Sequence, residues 1–204
     1  MFNVALTKLF YSIIETNRMK KIYGLCLVLS MVFSCKSIKS SSISSSDLFS
    51  YDVEQRIIDM DIQLKSPGPI TGANIVRAVR SGDLIFLSGK GPTKPNGNNI
   101  TGKIGIDLST EEGYQAAKVV AINQLAILKD EIGDLNKVVQ VVKVFGMVNA
   151  SADFTKHSQV INGFSDLIVD VFGDRGKHAR AAVGMSSLPG NIAVEIDMVV
   201  QIRD

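Results

Sequence analysis

Residues 179–202 read Ala-Arg-Ala-Ala-Val-Gly-Met-Ser-Ser-Leu-Pro-Gly-Asn-Ile-Ala-Val-Glu-Ile-Asp-Met-Val-Val-Gln-Ile. Their spacing predicts two strands. From Ile192 every second residue is large and apolar: Ile192, Val194, Ile196, Met198, Val200 and Ile202. A period of two places these six on one face of a strand spanning Ile192 to Ile202. Leu188-Pro189-Gly190-Asn191 is turn chemistry, and Ala179 to Met185 forms the strand before it. Glu195 and Asp197 then occupy the face opposite the apolar one. Arg180, Ala182 and Gly184 share one face of their own strand.

Toward the N-terminus the period changes. Asp153 to Phe172 carries Ile161, Phe164, Leu167, Ile168 and Val171 at helical spacing and ends at Gly173. Val138 to Val148 is rich in β-branched residues with few polar positions, and predicts a central strand covered on both faces. Ser109-Thr110-Glu111-Glu112 is a capping box. It opens a helix that runs to Ile132, ends at Gly133 and turns Ala117, Val120, Ala121, Leu125 and Leu128 to the core. Gly89 to Gly105 holds five glycines and two prolines and reads as a loop. Ile75 to Arg80 and Leu84 to Ser88 form a hairpin about Ser81-Gly82-Asp83. Tyr51 to Leu64 is an amphipathic helix, stopped by Pro67-Gly68-Pro69. After that helix the order is ββαβαββ. This is an α/β (α+β) fold with two helices on one face of a mixed sheet.

The chain has 204 residues, of which 46% are hydrophobic and 21% charged. That suits one domain plus a tail and excludes global disorder. With two histidines, two cysteines and no tryptophan, a zinc cluster or disulfide scaffold has no material to build on. His157 and His178 lack ligand spacing, so no metal is expected. Ser88-Gly89-Lys90-Gly91-Pro92 is glycine-rich but lacks the spacing of a phosphate cradle. No strand-turn-helix nucleophile elbow is present.

The first 50 residues read as an address and a tether. Lys20 and Lys21 precede an apolar run from Ile22 to Phe33, too short to span a bilayer but suited to a signal peptide. The run ends in Val32-Phe33-Ser34-Cys35, which resembles a bacterial lipobox with Cys35 as the lipidated residue. Eight of the 14 residues from Ser37 to Ser50 are serine, the composition of a flexible tether. The expected organisation is an upstream segment and signal peptide over 1–34, with Met19 as the translation start. A lipidated cysteine and tether follow over 35–50, then a domain over 51–204. The expected location is the bacterial cell envelope, with the membrane reached only through the lipid. Without residues 1–34 the chain keeps 18 basic and 19 acidic side chains, a net charge of −1. Bulk attraction to a nucleic-acid backbone is therefore not expected.

Two residues carry the candidate chemistry. Arg180 is flanked by small residues, which leaves space beside its guanidinium for a ligand carboxylate. The same pattern suits a surface arginine, or an ion pair with Glu195 or Asp197 across the hairpin that the two strands would form. Glu195 interrupts the last strand on a face that alternation alone reads as solvated. Lys90 and Lys143 have no evident partner in the pattern.

Three segments then resemble the RidA superfamily (YjgF-like, also named endoribonuclease L-PSP). They are Arg77-Ala78-Val79-Arg80-Ser81-Gly82-Asp83-Leu84-Ile85-Phe86-Leu87-Ser88-Gly89, Lys177-His178-Ala179-Arg180-Ala181-Ala182-Val183-Gly184 and Leu188-Pro189-Gly190-Asn191-Ile192-Ala193-Val194-Glu195-Ile196. The resemblance covers about residues 52–203. Glu111-Glu112-Gly113-Tyr114, Gly133-Asp134-Leu135, Val160-Ile161-Asn162-Gly163 and Phe172-Gly173 look like the longer YjgF-like branch.

The resemblance implies a fold similar to the chorismate-mutase-like architecture and a homotrimer with ligand clefts between subunits. It implies that Arg180 grips the carboxylate of an enamine or imine and that Glu195 positions the attacking water. The backbone at Gly89 and Ala182 would line the pocket, with no cofactor. Ile75 stands where the prototype has a pocket tyrosine, and Ala182 where it has a cysteine. The implied activity is deamination of a small 2-imino acid to a 2-keto acid and ammonia. The alternatives are a non-catalytic trimer that binds small carboxylates and, behind it, an endoribonuclease. The net charge and the absence of a histidine pair or an aromatic platform argue against the endoribonuclease.

Overall fold

In a computed structural model the described residues are 50–68 and 74–204. The chain divides into the units Met1–Ser42 and Ile43–Asp204, and every described residue belongs to the second. The signal sequence, Cys35 and the serine tether lie outside the described residues.

Eight principal elements follow in order: α1 (Val53–Asp59), β1 (Ala78–Ser81), β2 (Leu84–Lys90), α2 (Thr110–Ile132), β3 (Val138–Asn149), α3 (His157–Phe172), β4 (Ala179–Met185) and β5 (Val194–Ile202). The sheet order is β1-β2-β5-β3-β4. Only the β3–β4 pair is parallel. The α+β class and the ββαβαββ order are as the sequence predicts.

Local chemistry sets the boundaries. Ser109 Oγ accepts from the Glu112 amide while the Glu112 carboxylate accepts from the Ser109 amide, so both halves of the capping box form. Gly133 ends α2 at φ 78°, a conformation that glycine adopts without steric cost. Every core residue expected on α2 and α3 is buried. The first helix is shorter than predicted. Asp52 caps it at its start, and Asp61 at φ 53° closes the turn after Met60. The amphipathic pattern continues to Leu64, but there it belongs to a non-helical segment whose Ile62 and Leu64 pack on the core. α3 likewise starts at His157 rather than Asp153, β1 starts at Ala78, and β5 starts at Val194.

Two expectations about the sheet change. β4 and β5 are not hydrogen-bonded to each other, because β3 lies between them. β3 is covered on one face only, with Val142 and Lys143 exposed. Its lack of alternation has another cause. Register shifts between Val138 and Gln140 and between Val141 and Lys143 each add a residue. The buried positions therefore run Val138, Val141, Val144 before settling to every second residue. The helices leave the other face of the sheet bare. There Val79 pairs with Phe86 and Phe86 with Val199; Val79 is 53% exposed and Phe86 44%.

Candidate functional site

Arg180 sits on the edge strand β4. Val144 of β3 is its register partner, and Val144 in turn pairs with Met198 of β5. Cross-strand partners share a face, and Val144 and Met198 are fully buried. Arg180 therefore points to the helix side. Its Nη1 donates to Ser165 Oγ on α3 at 2.8 Å, and its Nη2 to the Ser158 carbonyl at 3.4 Å.

Ser165 also meets His178 Nε2 at 2.9 Å, while His178 Nδ1 lies 2.6 Å from the Gly176 carbonyl. A carbonyl can only accept, so Nδ1 carries the ring proton and Nε2 receives the Ser165 hydroxyl. Burial holds His178 below the usual histidine range, and the Arg180 charge acts the same way against the Gly176 hydrogen bond. The result is one directed chain, Arg180 to Ser165 to His178 to Gly176, that fixes the guanidinium. Ala182 and Gly184 continue the same face. A Cβ on Gly184 would fall 2.3 Å from His157 Nε2, so the start of α3 closes down on this strand.

Glu195 is elsewhere. It pairs with Met147 of β3, between the buried Val194 and Ile196, and so faces the bare side of the sheet. Burial raises its carboxyl above the usual range, and Asp197 on the same face adds to the rise. Asp197 is raised by burial too, partly offset by Lys143.

Gly89 adjoins Glu195. The ladder between β2 and β5 steps from Leu87–Met198 to Lys90–Ile196, three residues against two, which is a β-bulge. The Glu195 carboxylate fills the space this bulge leaves: a Cβ on Gly89 would stand 2.5 Å from Glu195 Oε1. From the helix side, Gln124 Nε2 donates to the Ser88 carbonyl at 3.0 Å and the Ile196 carbonyl at 2.8 Å, bridging the interrupted ladder.

The structure thus sets Arg180 on one face with Ala182, and Glu195 against Gly89. Within one chain it does not join them. Arg180 and Glu195 lie on opposite faces, two strands apart and three register rows apart, on the order of 14 Å from strand spacings alone. The ion pair of Arg180 with Glu195 or Asp197 is not formed. Ile75, which the resemblance sets at the pocket tyrosine's place, is 62% exposed. Sequence reasoning missed Ser165 and Gln124, since a lone serine or glutamine inside a helix carries no motif. Among the described residues no group of three histidine, cysteine or acidic side chains stands close enough to hold a metal ion.

Residues 54–200 match the family model described as "YjgF/chorismate_mutase-like, putative endoribonuclease". The chain is 42% identical over 132 residues to "Protein TCP17" of Trypanosoma cruzi, covering 64% of this chain and 82% of that protein. It is similar to the crystal structure of a protein of unknown function from Agrobacterium tumefaciens. That match has a TM-score of 0.69 and 38% identity, over 77% of this chain and 96% of the other. It is also similar to a structure from Shewanella oneidensis described as a "putative endoribonuclease". There the TM-score is 0.71 and the identity 25%, over 74% of this chain and all of the other.

Proposed function

The chain belongs to the YjgF/chorismate-mutase-like family, and from that premise we propose that it is a Rid-type deaminase of small 2-imino acids whose site is completed between two copies of the chain. Arg180 of one copy grips the substrate carboxylate, and Glu195 of the next positions water. The enamine tautomerises to the imine, water adds across the C=N bond, ammonia leaves and a 2-keto acid remains. Arg180 orients the reaction. Glu195, its proton affinity raised by burial, takes a proton from the water and returns it to the departing nitrogen.

The observation that carries this reading is the fixed guanidinium. A surface arginine has no need of a serine and a half-buried histidine to aim it. The apolar patch around Phe86 and Val79 on the Glu195 face supports a second copy, because a bare apolar sheet face calls for cover. We propose a homotrimer, held at the bacterial envelope through lipidated Cys35. The second reading, a non-catalytic binder of small carboxylates, is favoured by Ala182 and Ile75, which bring neither thiol nor hydroxyl to the cleft.

The test is keto-acid release from enzymatically generated 2-aminoacrylate. Arg180→Ala and Glu195→Gln should each abolish it. Co-assembly of the two variants should restore about a quarter of the wild-type rate, since one pairing in four carries both native groups. No recovery from a mixed, folded oligomer would place the site within one chain. Binding of 2-keto acids with no turnover in the wild type would establish the second reading.

A further inference from the structure

A cavity lies on the helix side of the sheet, where α2 faces the segment after α1. It encloses about 690 Å³ between α2, the segment that follows α1 and the loop that follows β2. Neither Arg180, Ala182, Gly89 nor Glu195 lines it. Val119, Ile122, Ala126 and Ile127 of α2 form its floor, and Met60 and Ile62 one wall. Five cations surround that apolar lining: Lys65, Arg77, Lys90, Lys94 and Lys118. Asp61 is the one carboxylate among the described residues of the wall.

Lys90 is the informative member. It is the last residue of β2 and pairs with the buried Ile196, so its side chain is directed to the helix side. Among the described residues its ammonium has no hydrogen bond or ion pair. Burial lowers its proton affinity and the neighbouring Arg77 lowers it further. Arg77 and Lys90 are half-buried, and five cations drawn together against a single carboxylate are stabilised when an anion arrives.

The lining also says what the anion is attached to. Among the described residues it contains no aromatic ring, so a nucleobase or an aromatic acid would find no stacking platform there. Branched aliphatic side chains suit a hydrocarbon chain. The volume lies within the range of small-molecule sites.

We propose that this cavity binds a single-chain amphiphile, an aliphatic tail on the α2 floor with an anionic head group, carboxylate or phosphate, held by Lys90, Arg77 and Lys118. The site is independent of the deaminase reading.

The test is calorimetric titration of the purified full-length chain, below the micellar range, with dodecanoate, dodecyl phosphate, dodecyltrimethylammonium and inorganic phosphate. The expected result is micromolar binding of one or both anionic amphiphiles, with the cation and inorganic phosphate at least about a hundredfold weaker. The tighter anion identifies the head group. Lys90→Met should weaken binding about tenfold or more. So should Lys118→Glu, which alters an exposed helix position and leaves the fold and keto-acid release unchanged. Arg180→Ala should leave amphiphile affinity as it is. The proposal is overturned if no anionic amphiphile binds more tightly than about 1 mM, or if the cationic one binds as well. Loss of binding in Arg180→Ala would overturn it too, by moving the ligand to the other site.

Discussion

Gln124 offers a stability test of how the Glu195 corner is built. Its side chain is fully buried, and its amide nitrogen donates to the carbonyls of Ser88 and Ile196 at 3.0 and 2.8 Å. These carbonyls flank the bulge that lets the Glu195 carboxylate lie against Gly89. Gln124→Leu keeps the volume and removes both donors. Each carbonyl left without a partner costs about 1–3 kcal/mol. The Gln124 Oε1 is itself buried with no hydrogen-bond partner, so deleting it returns a similar amount once. The net expectation is a loss of about 1–3 kcal/mol, or roughly 2–10 °C in Tm for a domain of this size. Urea and thermal unfolding would measure it, and hydrogen exchange at Gly89 and Lys90 should speed up alongside. Gln124→Glu, which keeps one oxygen but removes the donors and adds a buried charge, should be worse. A Gln124→Leu protein within about 0.5 kcal/mol of wild type, with Gly89 and Lys90 equally protected, would refute the bridging role.

Three further substitutions probe the other arrangements. Gly163→Ala would set a Cβ 2.0 Å from the Tyr114 carbonyl oxygen, forcing α2 and α3 apart. A loss of about 3 kcal/mol or more is expected by denaturant unfolding. Gly89→Ala meets only the flexible end of Glu195 at 2.5 Å, so Tm should fall little. Keto-acid release should fall about a hundredfold, as for a reacting group displaced by about 1 Å. Ser165→Ala removes the link between Arg180 and His178. Affinity for 2-oxobutanoate should drop about five- to tenfold with the fold intact, and unchanged affinity would show that the guanidinium needs no such support.

The pH dependence of Glu195 follows from its raised carboxyl. The folded state binds this proton more tightly than the unfolded chain, so stability falls as pH rises between the unfolded value, about 4.3, and the raised folded value. Glu195→Gln removes that burden. The variant should be more stable than wild type at pH 7, and the advantage should vanish toward about pH 4, where both chains are neutral at this position. Paired urea titrations from acid to neutral pH would show it. A pH-independent difference between the two proteins would place the Glu195 carboxylate in water.

The fold was legible wherever one signal spoke alone. β5 alternates without interruption, so its face and its outward Glu195 follow from spacing. α2 announces both ends through Ser109 and Gly133. β3 was legible as a strand but not in its covering. Its two bulges shift the pattern twice, and a strand bare on one side then resembles one buried on both. The non-helical segment after α1 shows the reverse. Ile62 and Leu64 continue a helical spacing although Asp61 has already left the helix, because apolar side chains pack on a core from either conformation.

The candidate residues could be named from the sequence but their geometry could not, for one topological reason. Fifteen positions separate Arg180 from Glu195, and a turn lies between them, which in sequence looks like a pair facing each other across two adjacent strands. β3, laid down 30 residues earlier, takes the place between those strands. Parallel pairing with Val144 then turns Arg180 toward the helices, while antiparallel pairing with Met147 turns Glu195 away from them. β4 could not reveal its own facing, because Ala179, Ala181 and Val183 on one side are scarcely larger than Ala182 and Gly184 on the other. A guanidinium and a carboxylate placed this way cannot hold one small substrate within a single chain. If both serve one reaction, the element that brings them together is the surface between copies, and the edge strand β4 is where the arginine half must be offered.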